Sequence, residues 1–357
     1  MFTPESDAQI ERCAVFGGGA EIYCTSDALY VSRTCWSSGY FFRSIADADV
    51  VTNILSFDIS GSAPVLTARG SVPGYLLNAF ALDAYSGYLR AAVTYNDRNF
   101  VYVLDGNLET VGVSPALAEG EQIYGVRFSG NTAYVVTFYQ TDPLFVLDLS
   151  DPAAPTLKGE LKLPGFSSYL HPVGAGLMLG VGRGGDENGT DGSAKLSLFD
   201  VSDPQQPREA GSLILPDAWF NDDYKAFVDM GDGSYLLPYD SWTWQTVTDE
   251  NGVEDYSGTN ECGVLRFYAE NGALLELGRY LPAAELDGGA RATFIGGTVY
   301  LIAETYAEKD GSRVEIFAFD RDAFTQTGAL TLSVPTSEGF GWGYAYGAGG
   351  VDYAVAY

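Results

Sequence analysis

Short apolar runs separated by tight polar turns recur along the whole chain. Segments such as EIYCTSDALYVSRT, VRFSGNTAYVVTF and ATFIGGTVYLIAE each contain two apolar runs that flank an SD, GN or GG turn. Two strands joined in this way form a β-hairpin, because Gly, Asn and Asp tolerate the backbone angles of a two-residue turn. The pattern therefore predicts a succession of hairpins, and no apolar periodicity indicates a long helix.

An internal repeat shows that the hairpins come in pairs. The stretch from Phe145 to Pro164 matches the stretch from Ser197 to Pro216 at a single offset of 52 residues. The nine identical pairs are Asp148/Asp200, Ser150/Ser202, Asp151/Asp203, Pro152/Pro204, Pro155/Pro207, Gly159/Gly211, Leu161/Leu213, Leu163/Leu215 and Pro164/Pro216. Each copy is typical of a strand, a polar turn in which the aspartate binds backbone amides, and a second strand. Weaker copies surround Asp58, Asp105 and Asp320.

The paired hairpins predict a repeat protein. We place six units of four strands, with starts near residues 20, 78, 122, 168, 224 and 290. Antiparallel four-stranded units at such a period are typical of β-propeller blades. We therefore predict an all-β chain that forms a single β-propeller domain of six or seven blades over residues 1–357. Residues 1–16 and 339–357 would close the ring or form a further blade. A β-sandwich is the alternative, but it does not predict the 52-residue register.

Several of these segments resemble a known family. The run from Glu121 to Gly184, the following KLSLFDVSDPQQP, and the segments NAFALDAYSGYLRAAVT, YKAFVDMGDGSYLLP and RATFIGGTVYLIAE carry the resemblance. They are similar to secreted bacterial and archaeal proteins with a C-terminal β-propeller distantly related to WD repeats. The resemblance implies an extracytoplasmic propeller and no particular activity. It also implies that the chain is a fragment or a short member, since the family's leading N-terminal region is missing.

Charge narrows the range of partners. The chain has 47 acidic and 19 basic residues, which gives a formal net charge of −28 and a pI near 4.1. Such a charge repels phosphate backbones and anionic membrane surfaces, and no basic stripe offsets it. No apolar stretch is long enough to span a bilayer. We expect no nucleic-acid partner and no membrane insertion by this segment.

The four cysteines leave the compartment open. Cys13 and Cys24 lie symmetrically about Gly18–Gly19, so they could face each other across a hairpin and form a disulfide. Buried free thiols are the other interpretation. No CxxC pair occurs, and with a single histidine the chain offers no zinc-finger or redox motif.

Two glycine-rich motifs are better explained as a strand end that enters a loop and as a solvated acidic turn. Gly180–Gly185 matches GxGxxG, but a strand rather than a helix is expected after it, and the dinucleotide fingerprint needs a helix. The acidic run from Asp186 to Gly192 resembles a calcium loop but departs from the EF-hand pattern at its sixth and twelfth positions. We predict no cofactor and interpret the run as a solvated turn, with a weak calcium site near Asp186 as the alternative.

Two groups of residues are candidates for ligand binding. The predicted first strands of the blades carry Asn78, Arg127, His171, Lys225 and Arg291, which include a notable share of the scarce basic groups. First strands line the axis of a propeller, so Arg127, His171 and Arg291 would lie in an axial funnel, where buried cations need carboxylates, water or a ligand. Salt bridges between blades are the alternative explanation. The second group is Trp242 and Trp244, in a long segment that interrupts the fifth unit.

These observations favour binding over catalysis. No GxSxG or HExxH motif occurs, and His171 has no second histidine beside it. We predict an extracytoplasmic binding or interaction module, extracellular or at the cell surface, that engages a protein, a peptide or a glycan. The alternatives are a carbohydrate-active enzyme that uses paired carboxylates, as in glycoside hydrolases, and a lectin-like sugar binder. No catalytic residue is assigned.

Overall fold

The computed structural model describes residues 21–36, 50–138, 142–184, 192–221, 223–248, 254–270, 272–284, 286, 289–307 and 311–333. The predicted all-β class is confirmed, because the helices in these ranges are two three-residue 3-10 helices, Ala79–Ala81 and Tyr224–Ala226. Within them, no helix is long and apolar enough to cross a membrane. The chain divides into an N-terminal unit (residues 1–139 and 143–160) and a C-terminal unit (140–142 and 161–357).

The N-terminal unit carries three antiparallel four-stranded sheets, which we call blades 1 to 3. Blade 1 contains β1 (Glu21–Cys24), β2 (Ala28–Trp36), β3 (Val50–Asp58) and β4 (Val65–Pro73). Blade 2 contains β5 (Leu82–Tyr85), β6 (Tyr88–Tyr95), β7 (Arg98–Leu104) and β8 (Thr110–Val113). Blade 3 contains β9 (Gln122–Ser129), β10 (Thr132–Phe138), β11 (Asp142–Asp148) and β12 (Thr156–Leu163). Within each blade the spatial order of the strands follows the chain.

The C-terminal unit carries blades 4 to 6. Blade 4 contains β13 (Phe166–Pro172), β14 (Leu177–Arg183), β15 (Ala194–Asp200) and β16 (Arg208–Leu215). Blade 5 contains β17 (Ala218–Phe220), β18 (Val228–Asp229), β19 (Ser234–Thr248), β20 (Glu254–Glu270) and β21 (Ala273–Tyr280). Blade 6 contains β22 (Arg291–Ile295), β23 (Thr298–Ala307), β24 (Gly311–Asp320) and β25 (Gln326–Ser333).

Six blades therefore occupy the described residues, and most begin close to their predicted starts. The main difference is blade 5, which begins at Ala218 rather than near residue 224 and whose first strand is divided into β17 and β18. The 3-10 helix Tyr224–Ala226 separates the two parts, so Lys225 lies in a helix rather than in a strand. Asn78 likewise caps the 3-10 helix before β5 instead of starting that strand. The predicted closing segments, 1–16 and 339–357, lie outside the described residues, and a single domain over the whole chain stays a prediction.

The central strands of the blades are buried on both faces. Ala91, Ala92 and Val93 of β6 are all 0% exposed, and β10 and β14 show the same continuous burial. Continuous apolar runs are required where a sheet is covered on both sides, whereas the outer strand β16 alternates between exposed and less exposed residues. Residues from Ile54 to Leu149 form one apolar core across blades 1 to 3.

The repeated aspartate closes the turn before the outer strand, as predicted. Asp148 accepts a hydrogen bond from the Ser150 backbone N–H at 2.8 Å. Asp200 accepts the Ser202 backbone N–H at 3.1 Å and the Ser202 hydroxyl at 2.6 Å. These bonds to Ser202, with a contribution from Arg208, lower the pKa of Asp200 to about 2. Equivalent bonds are made by Asp58, Asp105 and Asp320. The repeated aspartate therefore marks a hydrogen-bonded turn that recurs in five blades.

These turns pack against glycines in the outer strand of the preceding blade. A Cβ atom at Gly112 of β8 would collide with the Pro152 carbonyl oxygen and lie 3.0 Å from Pro155 Cδ in the turn of blade 3. In the same way, a Cβ atom at Gly278 of β21 would lie 2.6 Å from Phe324 Cε1 in the turn of blade 6. Gly70 faces Leu108 across blades 1 and 2. The glycine is thus required because the neighbouring turn leaves no room for a side chain.

Removal of the Asp148 carboxylate should destabilise the protein. Asp148→Ala leaves the Ser150 N–H without its acceptor, and we expect unfolding to become easier by about 1–2 kcal/mol in urea titrations. Asp148→Asn keeps an acceptor oxygen and should stay close to the parent. Because Asp148 also lies 3.1 Å from Lys158 Nζ, Lys158→Ala measures the ion pair separately. An unfolding midpoint of Asp148→Ala that equals the parent's would show that the turn bond contributes nothing.

The close contact between blades 2 and 3 gives a second prediction. Gly112→Ala forces the Pro152 turn away from β8, and overpacking of this kind costs about 1–3 kcal/mol. Gly106 in the turn of blade 2 has open space around its Cβ position, so Gly106→Ala is the matched control and should change stability by less than about 0.5 kcal/mol. Thermal unfolding of both variants tests the contact, and equal midpoints would contradict it.

Candidate functional site

A cleft opens in the C-terminal unit where blade 4 meets the first residues of blade 5. Its polar lining is formed by Ser168, Tyr169, Arg183, Asn221, Asp223 and Tyr224, and its apolar lining includes Phe220, Phe227 and Leu237. The enclosed part of the cleft has a volume of about 10 Å³, which is room for one water-sized group. A ligand would therefore insert a single oxygen-sized group and keep the rest of its atoms at the mouth.

One wall of the cleft is a capped 3-10 helix. Asp223 accepts a hydrogen bond from the Lys225 backbone N–H at 2.9 Å, which caps the helix Tyr224–Ala226. The same carboxylate pairs with Arg291, at the start of blade 6. Burial acts to raise the pKa of Asp223, but the Lys225 amide and the Arg291 guanidinium outweigh it, so the pKa lies below its ordinary value. Arg291 Nη1 is buried and lacks a hydrogen-bond partner.

Arg183 contributes a guanidinium to the lining of the cleft. It is the last residue of β14 and is partly buried. No residue in the described part of the chain makes a hydrogen bond or an ion pair with its side chain. In a chain with 47 acidic and 19 basic residues, carboxylates are abundant, so an arginine without a partner among the described residues is unusual.

His171 packs among aromatic rings next to the cleft. Its Nδ1 lies 3.1 Å from the Tyr169 hydroxyl, and its ring centroid is 4.7 Å from that of Phe227 and 5.6 Å from that of Tyr235. Both Tyr169 and Phe227 line the cleft. Two predicted site residues therefore contact the lining of the same cleft. His171 contacts Tyr169 and Phe227, and Arg291 pairs with Asp223.

The third predicted residue of the funnel, Arg127, belongs to the N-terminal unit. Its guanidinium lies 5.1 Å from the centroid of the Phe80 ring, a cation–π contact. Arg291 pairs with the Asp223 carboxylate. This salt bridge between blades 5 and 6 is the alternative to ligand binding that the sequence analysis gives. Ligand binding by Arg127, His171 and Arg291 stays a prediction.

The predicted tryptophan loop is an extended two-stranded structure. Beyond its pairing with β17, β19 continues from Trp242 to Thr248 and pairs with residues Glu254 to Asn260 of β20. We call these seven residue pairs the ribbon. Trp242 is 38% exposed, and its indole crosses over Gly258, since a Cβ atom there would lie 2.6 Å from Trp242 Nε1. Trp244 occupies the register position opposite Gly258.

A hydrogen bond between a buried tyrosine and an exposed carboxylate lies in blade 5. The Tyr239 hydroxyl donates a hydrogen bond to Glu261 Oε1 at 2.6 Å, with Arg279 over the Tyr239 ring. Tyr239 is 1% exposed. Burial and the Glu261 carboxylate raise its pKa, so the phenol stays protonated. The Tyr239 hydroxyl is therefore a hydrogen-bond donor to Glu261.

The remaining sequence motifs fall partly outside the described residues. The acidic run near Asp186 and Cys13 both lie there, so the calcium and disulfide predictions remain untested. Among the described residues, Cys24, Cys35 and Cys262 form no disulfide with one another, and Cys262 is buried. Gly180 and Gly182 of the GxGxxG match lie within β14, where they pack closely against Ser167 and Phe166.

Sequence reasoning missed several residues that form the cleft. The strand end predicted from Gly180–Gly185 gives Arg183 no role, and the sequence pattern does not single out Asn221, Asp223 or Tyr224. The only available signal was the NDDYK segment, in which an aspartate two residues before a lysine is typical of a helix cap. Nothing in the sequence indicates that Arg183 lacks a partner, because that depends on which carboxylates the fold places nearby.

The repeated blade with a buried central strand and a hydrogen-bonded turn defines the β-propeller class of proteins. The chain belongs to the beta propeller domain family, whose model matches residues 2–311. This match confirms the resemblance to a β-propeller family that the sequence motifs indicate.

Two archaeal proteins are similar in sequence to about half of this chain. An uncharacterised protein of Archaeoglobus fulgidus is 47% identical over 193 residues, which cover 52% of this chain and 29% of the relative. An uncharacterised protein of Methanocaldococcus jannaschii is 42% identical over 196 residues, which cover 52% of this chain and 30% of the relative. The aligned segment spans less than a third of either relative's length.

Solved structures with a similar fold include two distant proteins. The β-propeller domain of the trilobed protease of Pyrococcus furiosus is 10% identical, with a TM-score of 0.41 and coverage of 90% of this chain and 85% of that one. A putative 6-phosphogluconolactonase of Bacteroides uniformis is 11% identical, with a TM-score of 0.45 and coverage of 87% and 88%. These values say nothing about activity.

The Asp223–Arg291 pair should make stability depend on pH. Asp223→Asn keeps an acceptor for the Lys225 amide but removes the charge, and should cost up to about 1 kcal/mol at pH 7. Because folding lowers this pKa, the contribution is present above the unfolded pKa near 4 and is lost as pH falls through the folded value. Urea titrations of parent and variant should therefore converge at acid pH. Asp217→Asn, in an exposed turn, is the control, and a gap that persists at pH 2 would contradict the prediction.

Proposed function

We propose that this chain is the ligand-binding part of a longer extracytoplasmic protein and that its cleft binds an anionic group. The observation that carries the proposal is Arg183, a partly buried guanidinium that lines the cleft without a partner among the described residues. A guanidinium offers two parallel N–H donors to a carboxylate or phosphate, so an anion is the ligand that its geometry and charge match best.

The surroundings of Arg183 support an anionic ligand of limited size. Arg183 is the only cation among the described residues that line the cleft. Ser168, Asn221 and Tyr224 add uncharged polar groups to the lining. The enclosed volume admits one oxygen-sized group, which suits the terminal oxygen of a carboxylate or phosphate. Long-range repulsion from the acidic surface would make recognition depend on these local donors.

The extracytoplasmic location rests on the family resemblance. Its members are secreted proteins in which the propeller follows an N-terminal region. The archaeal relatives are also longer, since the aligned segment covers 29% and 30% of their lengths. A propeller that presents a cleft and an extended ribbon would suit the recognition part of such a protein.

The cleft can be tested by thermal shift with inorganic phosphate, citrate and acetate as separate probes. We expect the melting temperature of the parent to rise with at least one probe, and Arg183→Gln to lose that response while keeping the parent's stability. Arg98→Gln is the control, because Arg98 is a surface arginine that pairs with Glu119 at 2.7 Å. Comparison of phosphate with the two carboxylates identifies the oxyanion.

Two results would reject this assignment. One is a parent that responds to no probe at concentrations up to about 10 mM, which corresponds to a binding free energy weaker than about −3 kcal/mol. The other is an Arg183→Gln variant whose response equals that of the parent and of Arg98→Gln, which would place the anion elsewhere on the surface.

A further inference from the structure

The ribbon extends beyond the blade that carries it. Its seven residue pairs, from Trp242/Asn260 to Thr248/Glu254, correspond to about 24 Å of strand. The Trp242 backbone N–H still donates to the Asp217 carbonyl oxygen at 3.0 Å. Beyond Trp242, the ribbon residues pair only with each other among the described strands, since β17 ends its pairing at Ser241 and β21 ends at Val264. A two-stranded ribbon is marginally stable by itself, and its outer edges carry unpaired backbone groups. It is therefore suited to accept a further strand.

The ribbon and its base contain acidic residues but no basic ones. Residues 240–262 contain six acidic residues, Asp240, Asp249, Glu250, Glu254, Asp255 and Glu261, and no Lys, Arg or His. The segment also contains Trp242, Trp244 and Tyr256. Dense carboxylates on an extended strand repel other copies of this acidic chain and attract a cationic partner.

Aromatic and acidic groups share one face at the base of the ribbon. Trp219 of β17 is the register partner of Asp240, and Trp242 is the next same-face residue along β19. Both tryptophans are 38% exposed. The Trp242 indole crosses over Gly258, which has no side chain to displace it. Two partly exposed indoles thus flank a carboxylate on one sheet face.

The carboxylate between the indoles is not neutralised. Asp240 Oδ1 is buried without a hydrogen-bond donor, and no cation in the described part of the chain pairs with this side chain. Asn260, the register partner of Trp242, also has a buried Oδ1 without a donor. Burial, with a further contribution from the Asp240 charge, raises the pKa of the neighbouring Cys262 thiol to about 12. This face therefore lacks a positive group.

We propose that the ribbon docks a basic, extended segment of a partner protein. In this arrangement the segment adds as a strand along the free edge of β19, in line with β17. A Lys or Arg side chain lies on the Trp219 and Trp242 indoles beside Asp240, where a cation–π contact and an ion pair act together. This surface shares no residue with the Arg183 cleft, so the two proposals stand or fall separately.

The charge pattern decides between a basic peptide and the other partners. An anionic nucleic acid or membrane is repelled by a segment with six acidic and no basic residues. A neutral glycan could stack on the indoles but would leave the uncompensated Asp240 charge unpaired. Only a cationic segment uses both the aromatic and the acidic parts of the face.

The test uses a fluorescein-labelled peptide of six Lys-Thr repeats as the probe, with fluorescence anisotropy at about 150 mM salt, where weak surface charge effects are largely screened. We expect the parent to bind it and not to bind the matching Glu-Thr peptide. Trp219→Ala, Trp242→Ala and Asp240→Asn should each weaken binding at least fivefold. Trp242→Phe keeps an aromatic ring at this position and should retain most of the affinity.

Matched controls separate this face from general attraction to an acidic protein. Trp36→Ala removes another exposed tryptophan, 52% exposed in blade 1, and Glu119→Gln removes one exposed carboxylate from the N-terminal unit. Both should bind like the parent. If the tryptophan variants fold normally and also bind like the parent, the attraction is charge alone and the proposal is wrong. Binding of neutral oligosaccharides that depends on Trp242, without peptide binding, would make the ribbon a sugar site and would also overturn it.

Discussion

The close approach of the hydrogen-bonded turns of blades 2, 3 and 6 to the outer strand of the preceding blade is the contact on which the rest of this structure depends. Gly112 and Gly278 have no space for a side chain, because the turns containing Pro152 and Phe324 occupy it. The turn keeps its shape because an aspartate binds its amides, as Asp148 does with Ser150. A rigid turn and a missing side chain together fix the spacing of neighbouring blades, and that spacing closes the apolar core around the central strands.

Much of this fold could be predicted because its determinants are local. The Asp148 and Asp200 turns depend on residues two positions away, and the hairpins depend on the Gly and Asn at their tips, so sequence alone reveals them. The division of the first strand of blade 5 was missed for the opposite reason. Tyr224–Ala226 forms a helix because Asp223 caps it and pairs with Arg291, which lies 68 residues further along the chain.

The candidate sites show the same limit. The sequence singles out His171, Arg291 and Trp242 as candidate ligand-binding residues because cations are scarce in this acidic chain and Trp242 lies in a long inserted segment. It did not indicate Arg183, whose significance is the lack of a partner, or Asp240, whose carboxylate lies beside Trp219 only because β17 pairs with β19. Whether a charge is paired depends on the tertiary neighbours of a residue, and these are set by strand register across distant segments.

The sequential strand order within every blade has a further consequence for how such a chain can diversify. Each blade is one continuous piece of polypeptide, so a piece can lengthen without rearrangement of the others. Blade 5 illustrates this, because β19 and β20 pair without a register break from Ser234/Tyr268 to Thr248/Glu254. An insertion at the tip of one hairpin therefore creates new recognition surface while the turn-to-glycine contacts at the other end of the blade are inherited unchanged. Evolution can alter the specificity of such a domain by growth of a single hairpin.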